Sequence, residues 1–346
     1  MYDSRGGGRA TAQRVRPPQP GMDIVPESSS LPSPLTSSAA AISAPPPPPP
    51  PIPFPSIVQA IGLTILLLFA QLVVGLVTGI ANQGRSPGAW AIAVGNLVSF
   101  AIVVALGASW GKISIGRFIP LRSIPFLLAI PMMLTVLGAS AITSDAANLV
   151  MWLLPPPEFV KELFSDVLGG RSSPLLSLFL LVIVAPVTEE VLFRGMLLRG
   201  MLHRYKPWKA ICVTSALFAF THLNPWQFPV AMMLGMVFGW WFYRTRSLWP
   251  CLIGHAMNNF LPALFAAIPG FQITGYTTSE GGDFQPLWFD LTGLVIMLLG
   301  IAWTMRVFAR MPPPVLARAV SAIPAAEAAG TPSSVESEHT LPNLNE

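Results

Sequence analysis

The chain has 346 residues, of which 52% are hydrophobic and 10% charged, and its mean hydropathy is +0.59. Such a composition, written as repeated apolar runs, excludes a soluble globular core and predicts an all-α, polytopic integral membrane protein. The net charge of +4 calls for no nucleic-acid partner, because the basic residues cluster between the apolar runs and read as a topology signal.

Residues 1–55 are rich in Pro, Ser, Gly and Ala, carry an unbroken proline run at 45–51, and hold no apolar stretch long enough to bury. A disordered tail ending in a stiff polyproline rod is expected, acting as a spacer. No signal-peptide pattern is present, so the first span should serve as an uncleaved anchor.

The membrane domain is expected over 56–310, with about eight transmembrane helices at 57–80, 89–109, 124–143, 175–194, 209–223, 228–243, 248–267 and 288–307. Between the third and fourth, residues 155–170 read as an interfacial segment, with Phe159, Leu163, Val167 and Leu168 on one face of a short amphipathic helix. Trp240, Trp241 and Tyr243 beside Arg244 and Arg246 form the pattern of an interfacial anchor. The loop at 269–286 is polar, Gly-rich and expected outside the cytoplasm, and residues 311–346 read as a second disordered tail.

Sixteen of the 20 Lys and Arg residues fall on one side of this layout, in the N-terminal tail and in 112–122, 199–209, 244–246 and 306–318. Three fall on the other (Arg85, Lys161, Arg171), and Arg194 lies inside a span. Positive loops resist translocation, so both termini are expected in the cytoplasm, with a bacterial plasma membrane as the expected location. The two cysteines, Cys212 and Cys251, both lie within spans, which argues against a structural disulfide. Cys251 stands four residues before His255, and a small buried apolar side chain explains it better than a metal-ligand pair.

Ionisable groups in the middle of these spans are the main functional signal. A charge there costs roughly 2.5–3.5 kcal/mol even on lenient insertion scales, so such groups face one another or water. The fourth span contains Glu189, Glu190 and Arg194, the fifth Phe218 and His222, and the seventh His255 and Asn259. Glu190 and Arg194, at i and i+4, suit a helical ion pair of structural use. Glu189 points about 100° away from Glu190 and lacks an intrahelical partner, which makes it the candidate base. Phe218 shares a face with His222, as His255 does with Asn259.

At 1.5 Å per residue from the basic span ends, Glu189 lies about 15 Å deep, His222 and Asn259 about 20 Å and His255 about 13 Å, so groups on three helices reach one level. Their chemistry suits hydrolysis: Glu189 with His222 activates a water, while His255 and Asn259 stabilise the oxyanion of a tetrahedral intermediate.

These residues resemble the signature of the CAAX protease and bacteriocin-processing family of intramembrane endopeptidases, which includes the Ras-converting type of CAAX prenyl protease. The family's EExxxR is similar to Glu189 through Arg194, its FxxxH to Phe218 and His222, and its third motif to His255 and Asn259. The resemblance covers about 175–265, the catalytic core in helices 4 to 7. It implies an eight-span layout, Glu189 and His222 at the catalytic water, and His255 and Asn259 as the oxyanion site. It also implies a peptide or protein substrate, with or without a lipid, among membrane lipids. Whether the mechanism uses glutamate alone or a divalent metal such as zinc stays open, since one glutamate and two histidines could serve either. Rival readings are a scaffold or bacteriocin-immunity protein that binds without cutting, and a proton-coupled carrier. The absence of internal repeats argues against the carrier.

Overall fold

In this computed structural model the described residues are 54–81, 89–158, 160, 174–277 and 282–314. The proline run, most of the expected amphipathic segment at 155–170 and nearly all of both tails lie outside them. Among the described residues the chain is all-helical, without strands.

Among the described residues the longer helices are, in order, α1 (Ile57–Ala81), α2 (Ala89–Gly111), α3 (Ala129–Leu153), α4 (174–202), α5 (Pro207–Thr221), α6 (Phe228–Thr245), α7 (Trp249–Ala266) and α8 (Leu287–Ala309). Helix α4 is continuous, built of Pro174–Phe179, Leu180–Val184, Ala185–Glu190, Val191–Leu198 and Arg199–Leu202, with π-helical bonding in the second and fourth pieces.

Five of these helices, α1, α2, α3, α4 and α8, are long and apolar enough to cross a membrane. The expected all-helical class holds, but the expected eight spans reduce to these five among the described residues, with α5, α6 and α7 outside the set that qualifies by length and composition. Helix α5 has 15 residues and reaches only about 22 Å, short of a hydrocarbon core about 30 Å thick. Two other expected limits move: α3 runs on to Leu153 rather than stopping at Thr143, and α4 continues past Arg194 to Leu202.

Local sequence explains the helix ends. Ser56 and Gln59 form a reciprocal capping box at the start of α1, with Ser56 N–H donating to Gln59 Oε1 at 2.8 Å and Gln59 N–H to Ser56 Oγ at 3.3 Å. Phe54 and Pro55 already belong to the packed structure rather than the tail, for Pro55 is buried and the Phe54 ring lies 5.8 Å from Trp110. Prolines open α5, α6 and α7, where a missing N–H leaves no bond unmade. Asn224 Oδ1 accepts from the N–H groups of Trp226 and Gln227 just before α6.

The core gathers α4, α5 and α6 around Phe193, Leu197, Phe238 and Trp241, all fully buried. Trp241 is thus a core residue and not part of the expected interfacial anchor, while Trp240, half-buried, packs edge-on to Phe308 of α8 at 5.2 Å. Outward faces of α1 (Val58, Ile65, Leu72) and α8 (Leu291, Val295, Leu298) are exposed and apolar, the arrangement lipid permits and water does not.

Helices α3 and α8 approach until backbones touch. A Cβ at Gly138 would collide with the Gly293 carbonyl and the Met297 backbone, and one at Gly300 with the Thr135 backbone. Small residues give membrane helices this closeness. The loop at 269–286 is tied to α3: Asn148 Nδ2 donates to the Gly275 carbonyl at 2.7 Å, and the Tyr276 and Ser140 hydroxyls bond at 2.7 Å.

Candidate active site

The α-helical piece Ala185–Glu190 sits between two π-helical pieces and carries Thr188, Glu189 and Glu190 into the bundle. Glu190 is fully buried, and its Oε1 accepts from Arg194 Nη1 at 2.9 Å, the i,i+4 pair that the spacing implies. Arg194 is 2% exposed, donates through Nη2 to the Gly235 carbonyl at 3.4 Å, and lies 4.7 Å over the Phe218 ring and 5.6 Å from Phe238. Its charge is thus balanced by one carboxylate, one carbonyl and two aromatic faces.

Glu190 does more than hold Arg194. His255 on α7 bonds through Nδ1 to the same Glu190 Oε1 at 2.9 Å, while its Nε2 lies 3.6 Å from Glu189 Oε2. One imidazole therefore bridges the neighbouring carboxylates, despite their angular separation on α4. The ring is fixed by a stack on Phe238 and an edge contact with Phe218, both at 5.9 Å. Glu189 Oε2 is buried and makes no hydrogen bond, although its side chain keeps 19% exposure.

His222 follows the last residue of α5 and is half-buried. Its Nδ1 donates to the Phe218 carbonyl at 3.1 Å, which leaves Nε2 for another partner. The Phe218 ring meets both histidines edge-on, with centroids 5.0 Å from His222 and 5.9 Å from His255. No hydrogen bond or ion pair joins His222 to Glu189; the imidazole beside Glu189 is that of His255.

Asn259, one turn beyond His255, donates Nδ2 to the Leu181 carbonyl at 2.9 Å and accepts from Asn258 Nδ2 at 3.3 Å. Pro186 explains the first bond. At the end of the π-helical piece the Ala185 N–H reaches back five residues to Leu180, and the next such bond, to Leu181, would need an N–H that Pro186 lacks. The orphaned carbonyl takes Asn259 instead. Sequence reading missed Leu181, Gly235 and Phe238 as members of the site. Pro186, inside an apolar helix three residues before Glu189, was the available signal for the first.

Cys251 Sγ contacts the Phe238 carbonyl at 3.3 Å and is fully buried, as a packed apolar side chain would be. Among the described residues no three His, Cys, Asp or Glu side chains come together as a metal-binding group. Glu189, His222 and His255 thus do not fit a zinc set in this arrangement. Beside His222 an open, apolar groove of about 480 Å³ is lined by Val150, Ala219, Leu223 and Phe228.

Residues 171–261 match a family model described as type II CAAX prenyl endopeptidase Rce1-like. The match takes in α4, α5, α6 and most of α7, the helices that carry every site residue named above, and leaves out α1, α2, α3 and α8. No curated protein and no solved structure matches the chain.

Proposed function

We propose that the chain is an intramembrane endopeptidase that hydrolyses a peptide bond with water activated at Glu189. The reading rests on one observation above the others: a buried carboxylate oxygen without a hydrogen bond, 3.6 Å from an imidazole nitrogen whose ring is anchored to a buried ion pair. A chain in lipid does not keep such a group for packing alone.

Glu189 takes a proton from the attacking water and later gives it to the leaving amine, so the carboxylate is regenerated and no covalent intermediate is needed. His255, held through Nδ1 by Glu190, faces the same place with Nε2. With a proton on that nitrogen it stabilises the developing oxyanion, as does the second N–H of Asn259, the first being occupied by Leu181. His222, with Nδ1 held by the Phe218 carbonyl, has Nε2 left to hydrogen-bond the same water as it approaches Glu189. Glu190 and Arg194 are positioning residues. The groove beside His222 suits the apolar flank of a peptide or protein substrate, with or without a lipid, and both termini face the cytoplasm.

The test is Glu189→Gln in the full chain, assayed against peptides with and without C-terminal lipids and read by mass spectrometry of the products. Turnover should fall about 10²–10⁴-fold while the protein stays folded and still binds the cleaved peptide. Undiminished cleavage by Glu189→Gln, or a wild-type protein that binds these peptides and cuts none, would sink the proposal.

A further inference from the structure

At the end of α4 away from the catalytic carboxylates, basic side chains from three parts of the chain converge. Arg199 and His203 come from the end of α4, Arg117 and Arg122 from the segment joining α2 to α3, and Arg246 from the turn between α6 and α7. Backbone contacts hold these parts together. The Phe118 carbonyl lies against Gly195, where any Cβ would collide with it, one turn before Arg199. Leu248 N–H donates to the Pro120 carbonyl at 2.9 Å, and Ser247 Oγ to the Arg122 carbonyl at 2.7 Å. The convergence is therefore built in rather than a chance meeting of long side chains.

Arg246 is the centre of the cluster. It caps α6 in the left-handed region, at φ +54°, a conformation that favours glycine. Its Cζ lies 5.6 Å from the Tyr243 ring, yet Nε and Nη2 are buried and make no hydrogen bond. Two donors of an always-charged group removed from water without acceptors are costly, and an arginine so placed normally meets an anion. Among the described residues none of Arg117, Arg122, Arg199 and Arg246 pairs with a carboxylate. Burial, followed by Arg122 and Arg199 and opposed by Tyr243, holds Arg246 below the usual arginine range. Burial, then Arg246 and Arg199, does the same to His203.

We infer that Arg246, with Arg199, Arg122 and Arg117, forms a binding site for a phosphate group. The oxygens of a phosphate would accept the buried N–H groups of Arg246 and relieve the mutual repulsion of the four cations. The site lies at the basic end of a lipid-embedded bundle, so the phosphate is supplied by an anionic phospholipid headgroup or by a soluble phosphate. Positive charge spread over a membrane-facing surface needs no such site. Buried, unpartnered guanidinium donors on a strained cap are what distinguish this one.

The full-length protein, purified in detergent, is titrated with phosphatidylglycerol or with phosphatidylcholine of the same chain length, and retained lipid is counted by native mass spectrometry. Wild type should hold phosphatidylglycerol at about tenfold lower concentration than phosphatidylcholine. Arg246→Gln and Arg199→Gln should lose this preference, and Arg204→Gln, exposed and outside the cluster, should keep it. In a second arm, sodium phosphate is compared with sodium chloride of equal ionic strength by thermal unfolding. A rise in Tm with phosphate in wild type but not in Arg199→Gln, without lipid preference, identifies a soluble phosphate as the source. Should Arg246→Gln fail to fold, Arg246→Lys keeps the charge without the guanidinium fork and should still weaken binding. Equal retention of the two lipids with no response to phosphate overturns the site, as does equal loss in Arg204→Gln and Arg199→Gln.

Discussion

The α3–α8 pair and the α4–α7 group belong to one apolar domain, yet they are held by opposite means. Helices α3 and α8 pack backbone to backbone over Gly138, Gly293 and Gly300, with no ion pair between them among the described residues. Helices α4, α6 and α7 are joined through Glu190, Arg194, Gly235 and His255, a chain of buried polar contacts. Lipid offers little hydrophobic drive for helix association, so close van der Waals contact or hydrogen bonding must supply it. The first solution yields a rigid support. The second places reactive groups in the interior and makes the same residues responsible for stability and chemistry.

Removing one charge should break the second region most severely. Arg194→Leu leaves the Glu190 carboxylate buried without its cation, and a loss of about 3–5 kcal/mol is expected, seen as early loss of monodisperse protein on heating in detergent. Adding Glu190→Gln to Arg194→Leu should recover part of that loss. If the double variant is no better than the single one, the damage comes from lost packing around the guanidinium and not from an unpaired charge.

The first region should respond to volume and ignore charge. Gly138→Val forces two backbones apart, and about 1–3 kcal/mol of destabilisation is expected. Gly62→Val, at a position with no atom within 4 Å of an added Cβ, should leave the unfolding midpoint where it was. Similar behaviour of the two variants would mean that the α3–α8 approach contributes nothing.

A smaller effect should mark the boundary of the polar group. Asn259→Ala strands the Leu181 carbonyl that Pro186 leaves without a backbone donor, and about 1 kcal/mol should be lost. Asn259→Ala combined with Pro186→Ala should be less destabilised than the sum of the two single changes, because the alanine restores an N–H. Strict additivity in the melting data would rule out this link.

The smallest effect is one of pH and lies at the far end of α4, away from its carboxylates. Burial, with Arg246 and Arg199, lowers the pKa of His203 below its ordinary 6.5, so the unfolded chain takes up the proton first as pH falls. The stability tied to the neutral ring is complete above 6.5 and is lost as pH drops from there through the depressed value. His203→Gln should flatten that part of the Tm profile, and an unchanged profile would show that the ring is solvated.

Much of this division was legible in the chain. The helical class followed from apolar runs, because a segment in lipid must satisfy its own backbone hydrogen bonds. Glu190 and Arg194 follow from helical spacing alone, and their bond is short-range. Glu189, His222, His255 and Asn259 were marked by the expense of polar groups among apolar neighbours. Which imidazole would meet which carboxylate depended on how α5 and α7 lie against α4, and spacing along a single helix carries no such information. The inward turn of Trp241 escaped for the same reason, since a tryptophan near a span end can face headgroups or core.

By itself the sequence determined that this chain is a helical membrane protein and which side chains are too costly to leave in lipid without a purpose. Tertiary structure alone decided that His255 bridges the two glutamates, that Asn259 serves a carbonyl freed by Pro186, and that basic residues from three segments converge on Arg246. The physical reason is one of range: propensity, burial and i,i+4 pairing act within a few residues, whereas these contacts join positions brought together only when helices choose their neighbours.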